Sequence, residues 1–307
     1  MALTLYNIKK WYKMVTGKSV LHVNQDIGKC FSTTEVKGYY NNLTDKVRMQ
    51  PKLLGTDALP KIALENGKEV IFPVAIFQYG LGAYDLYLMT GDEQYREKFL
   101  QCVEWTSDHQ EPTGAWKNFS HIYPDHPYGA MAQGEAISLL VRAYISTGIS
   151  KYLEQAKMSI DFMIKPVSEG GTAIYRDNEL ILLEYTHKPA VMNGWIFALF
   201  GIYDYVLATQ DEGKYKETML QTIETLKKYL PRFSNSFWSM YDLDGHYASP
   251  FYHHLHVAQM QALYQLTQQD IFNEYAKRWE NEYKNPIKKG TAFLIKAFQK
   301  IIERNNA

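Results

Sequence analysis

Apolar and polar positions along this 307-residue chain alternate with a long period. Four stretches are apolar nearly all round: PVAIFQYGLGAYDLYL (73–88), AISLLVRAY (136–144), GWIFALFGIYDYVL (194–207) and VAQMQALYQL (257–266). A helix of that kind is buried on every side. Each is followed by an amphipathic stretch: FLQCVEW, YLEQAKMSIDFMI, YKETMLQTIETLKKYL and FNEYAKRWENEY. Between the members of each pair stand a threonine, a short polar turn and an aromatic. The threonines are Thr90, Thr147, Thr209 and Thr267, spaced by 57, 62 and 58 residues; the aromatics are Tyr95, Tyr152, Tyr215 and Phe272, spaced by 57, 63 and 57. Repetition at this period marks stacked helical units, and the polar turn marks a helix stop and restart.

The pattern predicts four helical hairpins, with buried helices inside and amphipathic helices outside: a mainly α fold, an (α/α) toroid or barrel. Turns within hairpins are short and share one end. The links between hairpins, roughly 110–127, 165–191 and 230–251, are long and share the other end. Long connections in a compact domain commonly carry function. Within them, Thr172-Ala173-Ile174-Tyr175 has the alternation of a small hairpin. The expected organisation is an N-terminal segment over 1–70, with a short basic helix near Lys10–Lys18 and a β-hairpin, then the toroid over 71–285, then a basic amphipathic helix over 286–307.

Composition narrows the classes. Lys plus Arg and Asp plus Glu are both 33, so the formal net charge is zero. That argues against a nucleic-acid partner, which calls for a basic excess. Cys30 and Cys102 are too few for a disulfide framework or a multi-cysteine zinc site. No N-terminal run has signal-peptide character, and no apolar run approaches the ~18 residues of a membrane span, so a cytoplasmic location and no integral membrane segment are expected. The 24 Tyr, 14 Phe and 6 Trp suit both a large core and the apolar faces of sugar rings.

No phosphate loop, nucleophile elbow or HExxH motif is present. The chemistry-bearing residues fall instead on one rim: Glu184-Tyr185 and His187-Lys188 in the second link, Tyr241-Asp242 in the third, and Tyr252-His253-His254-Leu255-His256 opening the last buried helix. His253 and His256 have a spacing that permits a metal, but no third ligand stands at a diagnostic interval; no metal and no cofactor are expected. Glu and Tyr together suit proton transfer at a carbon beside a carboxylate, where a placed base and stabilisation of the enediolate are needed.

Three stretches resemble the D-glucuronyl C5-epimerase family: PYGAMAQGEAISLLVRAY (127–144), LEYTHKPAVMNGWIFALFGIYDY (183–205) and MYDLDGHYASPFYHHLHVAQMQAL (240–263). The resemblance covers about residues 35–285 and implies a minimal, microbial form of the catalytic domain on an α/α toroid. It departs from the family's pattern at Thr186, Asp244-Gly245 and Pro250-Phe251, where the family carries Pro, Arg and Trp-Asp. The Asp244-Gly245 exchange puts specificity for sulfated chains in question. The resemblance implies a two-base exchange at C5 of glucuronate units in an acidic polysaccharide, giving iduronate. Glu184 and Tyr252 would serve opposite faces of the sugar, and Tyr185 and Tyr241 would bind the carboxylate or assist. His253, His256, Arg176 and Lys188 are the candidate cations, and Asn193, Gln133 and Trp116 are further candidate substrate contacts. A lyase or hydrolase on the same toroid and a non-catalytic polysaccharide-binding protein are the alternatives, and a homodimer is left open.

Overall fold

A computed structural model describes residues 12–13 and 18–305. Most of the expected basic helix at Lys10–Lys18, and the last two residues of the chain, lie outside the described residues.

The eight central helices follow the hydrophobic pattern. The inner helices are α2 (Pro73–Thr90), α4 (Ala130–Thr147), α6 (Met192–Thr209) and α8 (Pro250–Thr267). Each precedes its outer partner: α3 (Glu93–Asp108), α5 (Ser150–Met163), α7 (Lys214–Tyr229) and α9 (Asp270–Lys284). Inner helices pack on one another in the order α2, α4, α6, α8, and each outer helix packs on its own inner one. The fold is therefore the α/α toroid of four hairpins that the repeat predicts.

The repeated threonine has a physical role. Thr90, Thr147, Thr209 and Thr267 are each the last residue of an inner helix. Their hydroxyls donate to the carbonyls of Leu86, Ala143, Tyr205 and Leu263, four residues back, at 2.7–2.8 Å. The next residue turns the chain in the left-handed conformation, Gly91, Gly148, Gln210 and Gln268 in turn, while its N–H donates to the carbonyl four residues back, of Tyr87, Tyr144, Val206 and Tyr264, which ends the helix with that carbonyl satisfied. The repeated aromatic sits in the first turn of each outer helix, and Tyr215 and Phe272 are buried against the inner ring.

The turn end of the ring is sealed. Residues 37–42 run beneath it with Tyr39 and Tyr40 fully buried, Tyr40 resting 4.6 Å from Phe200. The Arg142 guanidinium of α4 lies 2.6 Å from Asp204 of α6 and donates to the carbonyls of Lys37 and Gly38. Tyr40 donates its hydroxyl to the same aspartate at 2.6 Å. A short helix α1 (Thr44–Arg48) follows, then an antiparallel strand pair β1 (Ile62–Ala63) and β2 (Glu69–Val70).

The opposite end is where the long links meet. The second link carries the hairpin β3 (Ala173–Arg176) and β4 (Glu179–Leu182). It is strapped to the third by an antiparallel bridge between Val191 and Asp242. Met192 N donates to Tyr241 O and Leu243 N to Ala190 O, both at 3.1 Å. Past α9, helix α10 (Pro286–Asn305) lies over the third link: Tyr247 N donates to Gln299 Oε1 at 2.9 Å, and Gln299 Nε2 donates back to Gly245 O.

Candidate active site

Glu184 leaves β4 at the mouth of the ring. The residue before it is fixed through both its backbone groups: Leu183 N donates to Thr172 O, and Leu183 O accepts from Ala130 N at 2.7 Å. Two glycines make room for it. A Cβ on Gly129 would fall 2.1 Å from Glu184 O, and a Cβ on Gly194, in the first turn of α6, would fall 2.4 Å from Oε2. The side chain is buried, and Oε2 finds no hydrogen-bond partner among the described residues. Burial pushes its carboxyl up to about 7, against the opposing pull of Tyr185, in hydrogen-bonding range, and of the Lys188 charge. Desolvation disfavours the anion, so this group can take or give a proton near neutral pH.

Three phenols surround that carboxyl. Tyr185 stacks on Phe119 with ring centroids 4.6 Å apart and meets Tyr123 edge-on at 5.9 Å. Tyr252 enters in the first turn of α8, after the N-cap Ser249. Its ring lies 4.9 Å from that of Tyr241 at 61°. Burial, and then the nearby Glu184 charge, hold all three hydroxyls above the usual tyrosine range; for Tyr252 the hydrogen bond with Tyr241 pulls the other way. These phenols are therefore neutral donors at physiological pH. The structure brings Glu184, Tyr185, Tyr241 and Tyr252 into one cluster.

Of the expected cations, Lys188 is at the site. Its ammonium lies 5.0 Å over the Tyr185 ring and 4.3 Å over Tyr123, and donates to the Tyr123 hydroxyl at 2.7 Å.

Four residues expected to touch substrate are placed otherwise. His253 and His256 are fully buried, below the tyrosines. His253 stacks on Trp238 at 3.6 Å, and its Nε2 donates to Trp279 O at 2.9 Å. That leaves Nδ1 to accept from Ser239, whose hydroxyl also meets His256 Nδ1 at 2.9 Å. Burial drives His253 down to about 3 and His256 well below its usual value, so neither serves as a cation. Through Ser239 they anchor the segment that carries Tyr241. Trp116 and Gln133 are likewise internal: Trp116 Nε1 donates to Thr106 O, and the Gln133 amide pairs with the Trp116 backbone at 3.2 Å in both directions. They hold the first link in shape.

Arg176 is paired with Glu179 at the tip of the hairpin, the end opposite Ala173 and Leu182 from which Glu184 emerges. Asn193 stays beside the cluster, next to Gly194; it is buried, and its carbonyl oxygen accepts from Gln259 Nε2.

Sequence reasoning missed other neighbours. His22 meets the rings of Phe251 at 5.1 Å and Tyr252 at 6.1 Å, and nothing local in the sequence signals that contact. Lys296 of α10 stands 5.3 Å over the Tyr241 ring. Glu135, buried in α4 and hydrogen-bonded to Gln78 at 2.8 Å, is pushed up to about 8 by burial. An acidic residue in a mostly apolar, buried helix was a usable signal for it.

No helix among the described residues is long and apolar enough to cross a membrane. Comparison with solved structures supports the toroid: cellobiose 2-epimerase from Spirochaeta thermophila superposes with a TM-score of 0.52 at 9% identity, covering 92% of this chain and 86% of that one. Among curated sequences, an uncharacterized protein of Methanocaldococcus jannaschii is 34% identical over 160 residues, covering 49% of this chain and 51% of that protein. The D-glucuronyl C5-epimerase of Caenorhabditis elegans is 25% identical over 215 residues, covering 61% of this chain and 35% of that protein. The chain thus spans about half, or less, of the curated relatives it matches. The family described as "D-glucuronyl C5-epimerase C-terminus" matches residues 110–281, a stretch holding Glu184, Tyr185, Tyr241 and Tyr252 and more than half of the sequence, and the chain belongs to that family.

Proposed function

We propose that this chain inverts C5 of D-glucuronate units in a polysaccharide to give L-iduronate, by two-base proton exchange. The observation that carries the reading is a buried carboxyl brought to near-neutral pKa, Glu184, beside phenols held neutral at Tyr241 and Tyr252. Such a pair of environments separates a base from an acid.

In the forward direction ionised Glu184 takes the C5 proton, and the electron pair of the broken C–H bond moves into the sugar carboxylate as an enediolate. Lys188 and the Tyr185 hydroxyl offset the charge that develops there. Tyr252 then gives its phenolic proton to C5 from the opposite face. The Tyr241 hydroxyl, hydrogen-bonded to Tyr252, stabilises the phenolate until solvent restores the proton, and Glu184 loses its proton to solvent. Ionised Glu184 and neutral Tyr252 are the protonation states this direction needs; the reverse direction needs Tyr252 as phenolate and Glu184 protonated.

The test is NMR of glucuronate-containing polysaccharide incubated with the protein in heavy water. Deuterium at C5 together with iduronate signals is the expected result. An unsaturated uronate with ultraviolet absorbance, from elimination of the 4-linked sugar, would instead identify a lyase, and binding with no exchange a non-catalytic protein.

A further inference from the structure

A cavity of about 540 Å³ opens beside the tyrosine cluster, between the start of α8, the end of α9, helix α10 and residues near 22–24. Its walls include Asn24, Phe251, His254, Tyr283, Lys289 and Phe293. Phe251 immediately precedes Tyr252, and His22, also on the wall, packs against both rings. The cavity therefore shares a wall with the proposed reaction site. All of α10 and of residues 22–24 lie outside the stretch matched by the family, 110–281.

The lining chemistry is that of an acidic sugar. Phe251, Tyr283 and Phe293 offer apolar faces for the C–H side of a pyranose, and Asn24, whose amide nitrogen already donates to Asp26, offers its second N–H and its oxygen to hydroxyls. Lys289 supplies one positive charge. It is half-buried and stands 3.9 Å over the Tyr283 ring, and it has no carboxylate partner among the described residues. No acid among those residues lines the cavity; Asp26, behind its wall, is already engaged by His254, and on the same helix the neighbouring Lys288 faces Glu282. Lys296 lies seven residues beyond Lys289, about 10.5 Å along a helix and on nearly the same face, and its ammonium is over Tyr241. Two lysines on one helix face thus run from the cavity to the tyrosine cluster, a spacing suited to a chain whose carboxylates recur on alternate sugars.

We propose that α10 and the segment near residues 22–24 form a flanking subsite that holds a second uronate of the polymer, its carboxylate on Lys289, while a first uronate reacts beside Tyr252. The inference rests on the proposed epimerisation for the identity of the polymer. It makes α10 a specificity element that selects long acidic chains over short ones.

The test uses unsulfated oligosaccharides of alternating glucuronate and N-acetylglucosamine, trisaccharide and octasaccharide, with affinity from calorimetry and C5 exchange from NMR in heavy water. Wild type should bind the octasaccharide more tightly. Lys289→Gln should weaken the octasaccharide about tenfold, the loss of one good ionic contact, and leave the trisaccharide and the maximal exchange rate unchanged. Gly290→Leu should do the same by filling the cavity; a Cβ there meets nothing within 4 Å, so the helix tolerates it. The subsite is overturned if wild type shows no preference for length, or if both variants keep wild-type octasaccharide affinity. If the length preference and its dependence on Lys289 are present while C5 exchange is absent in wild type, the subsite stands and the assigned reaction falls.

Discussion

Glu184 and Gly194 touch where the β3–β4 link returns to the ring: a Cβ added to Gly194 would lie 2.4 Å from Oε2 and 2.6 Å from Cβ of the glutamate. The glycine keeps a buried carboxyl against the start of α6. Gly194→Ala should push the carboxyl out of its position with only local overpacking, about 1–3 kcal/mol of stability. C5 exchange should fall on the order of 100-fold, the effect expected of a misplaced reacting group. Exchange rates and urea unfolding of the same preparation check this; an alanine variant with full activity would remove Glu184 from the role of base.

Tyr252 and Glu184 have separable tasks in the proposed exchange. Tyr252→Phe removes the acid on one face but leaves the base on the other. The variant should lose iduronate formation by at least about 100-fold yet still wash deuterium into glucuronate, because Glu184 returns a proton to the face it came from. Glu184→Gln should lose both signals from a glucuronate substrate. Equal loss of inversion and wash-in for Tyr252→Phe would mean that the two residues do not act on opposite faces.

The raised carboxyl of Glu184 ties activity to stability. Its pKa rises from 4.5 to about 7 on folding, so the native state holds a proton that the unfolded chain releases between those values. Folding stability from this group is therefore full below pH 4.5 and is lost as pH rises towards 7, on the order of 3 kcal/mol. Activity runs the other way and should rise through a midpoint near pH 7 as the base ionises. Glu184→Gln should be inactive and, at pH 8, more stable than wild type. A flat rate profile from pH 5 to 8, or no gain in the unfolding midpoint of the variant, would count against a buried, functional carboxyl.

How legible this molecule was in its sequence depends on which interactions are local. The toroid could be read because each hairpin repeats a local solution: a fully apolar helix, a threonine that closes its last turn and an aromatic in the next helix. Glu184, Tyr185, Tyr241 and Tyr252 could be picked from motif resemblance and rim position, and the structure gathers them. The histidines show the limit. His253 and His256 share a helix face by spacing, but only the packing of Trp238, Ser239 and Trp279 around them makes them structural. Arg176 was assigned by its link, and hairpin register then put it at the far tip. His22 and Lys296 meet the tyrosines across more than 200 and more than 50 residues of chain, which no local pattern encodes.

The buried histidines carry their own pH signature. His253 is held near 3 against an ordinary 6.5, chiefly by burial, so the unfolded state binds a proton that the native state refuses. Stability from this residue is complete above pH 6.5 and falls as pH drops towards 3, by about 1.4 kcal/mol per pH unit. His253→Gln, which keeps an amide donor and acceptor in reach of Ser239 and Trp279, should flatten the acid limb of the unfolding midpoint against pH by about one proton. An unchanged limb would mean that His253 is protonated in the native state.

Arg142 and Asp204 pin the sealed end of the ring far from the proposed chemistry. Both side chains are inaccessible and lie 2.6 Å apart, with Tyr40 donating to the same carboxylate. Removing one charge strands the other in the core, which costs about 3–5 kcal/mol. Asp204→Asn should lower the urea midpoint accordingly, whereas Tyr40→Phe, which removes a single hydrogen bond but strands no charge, should cost only about 1–3 kcal/mol. Exchange per folded molecule should be unchanged in both, because neither residue touches the Glu184 cluster. A selective loss of C5 exchange in a fully folded Asp204→Asn protein would show that the sealed end is coupled to the rim and that the ring does not act as a rigid support.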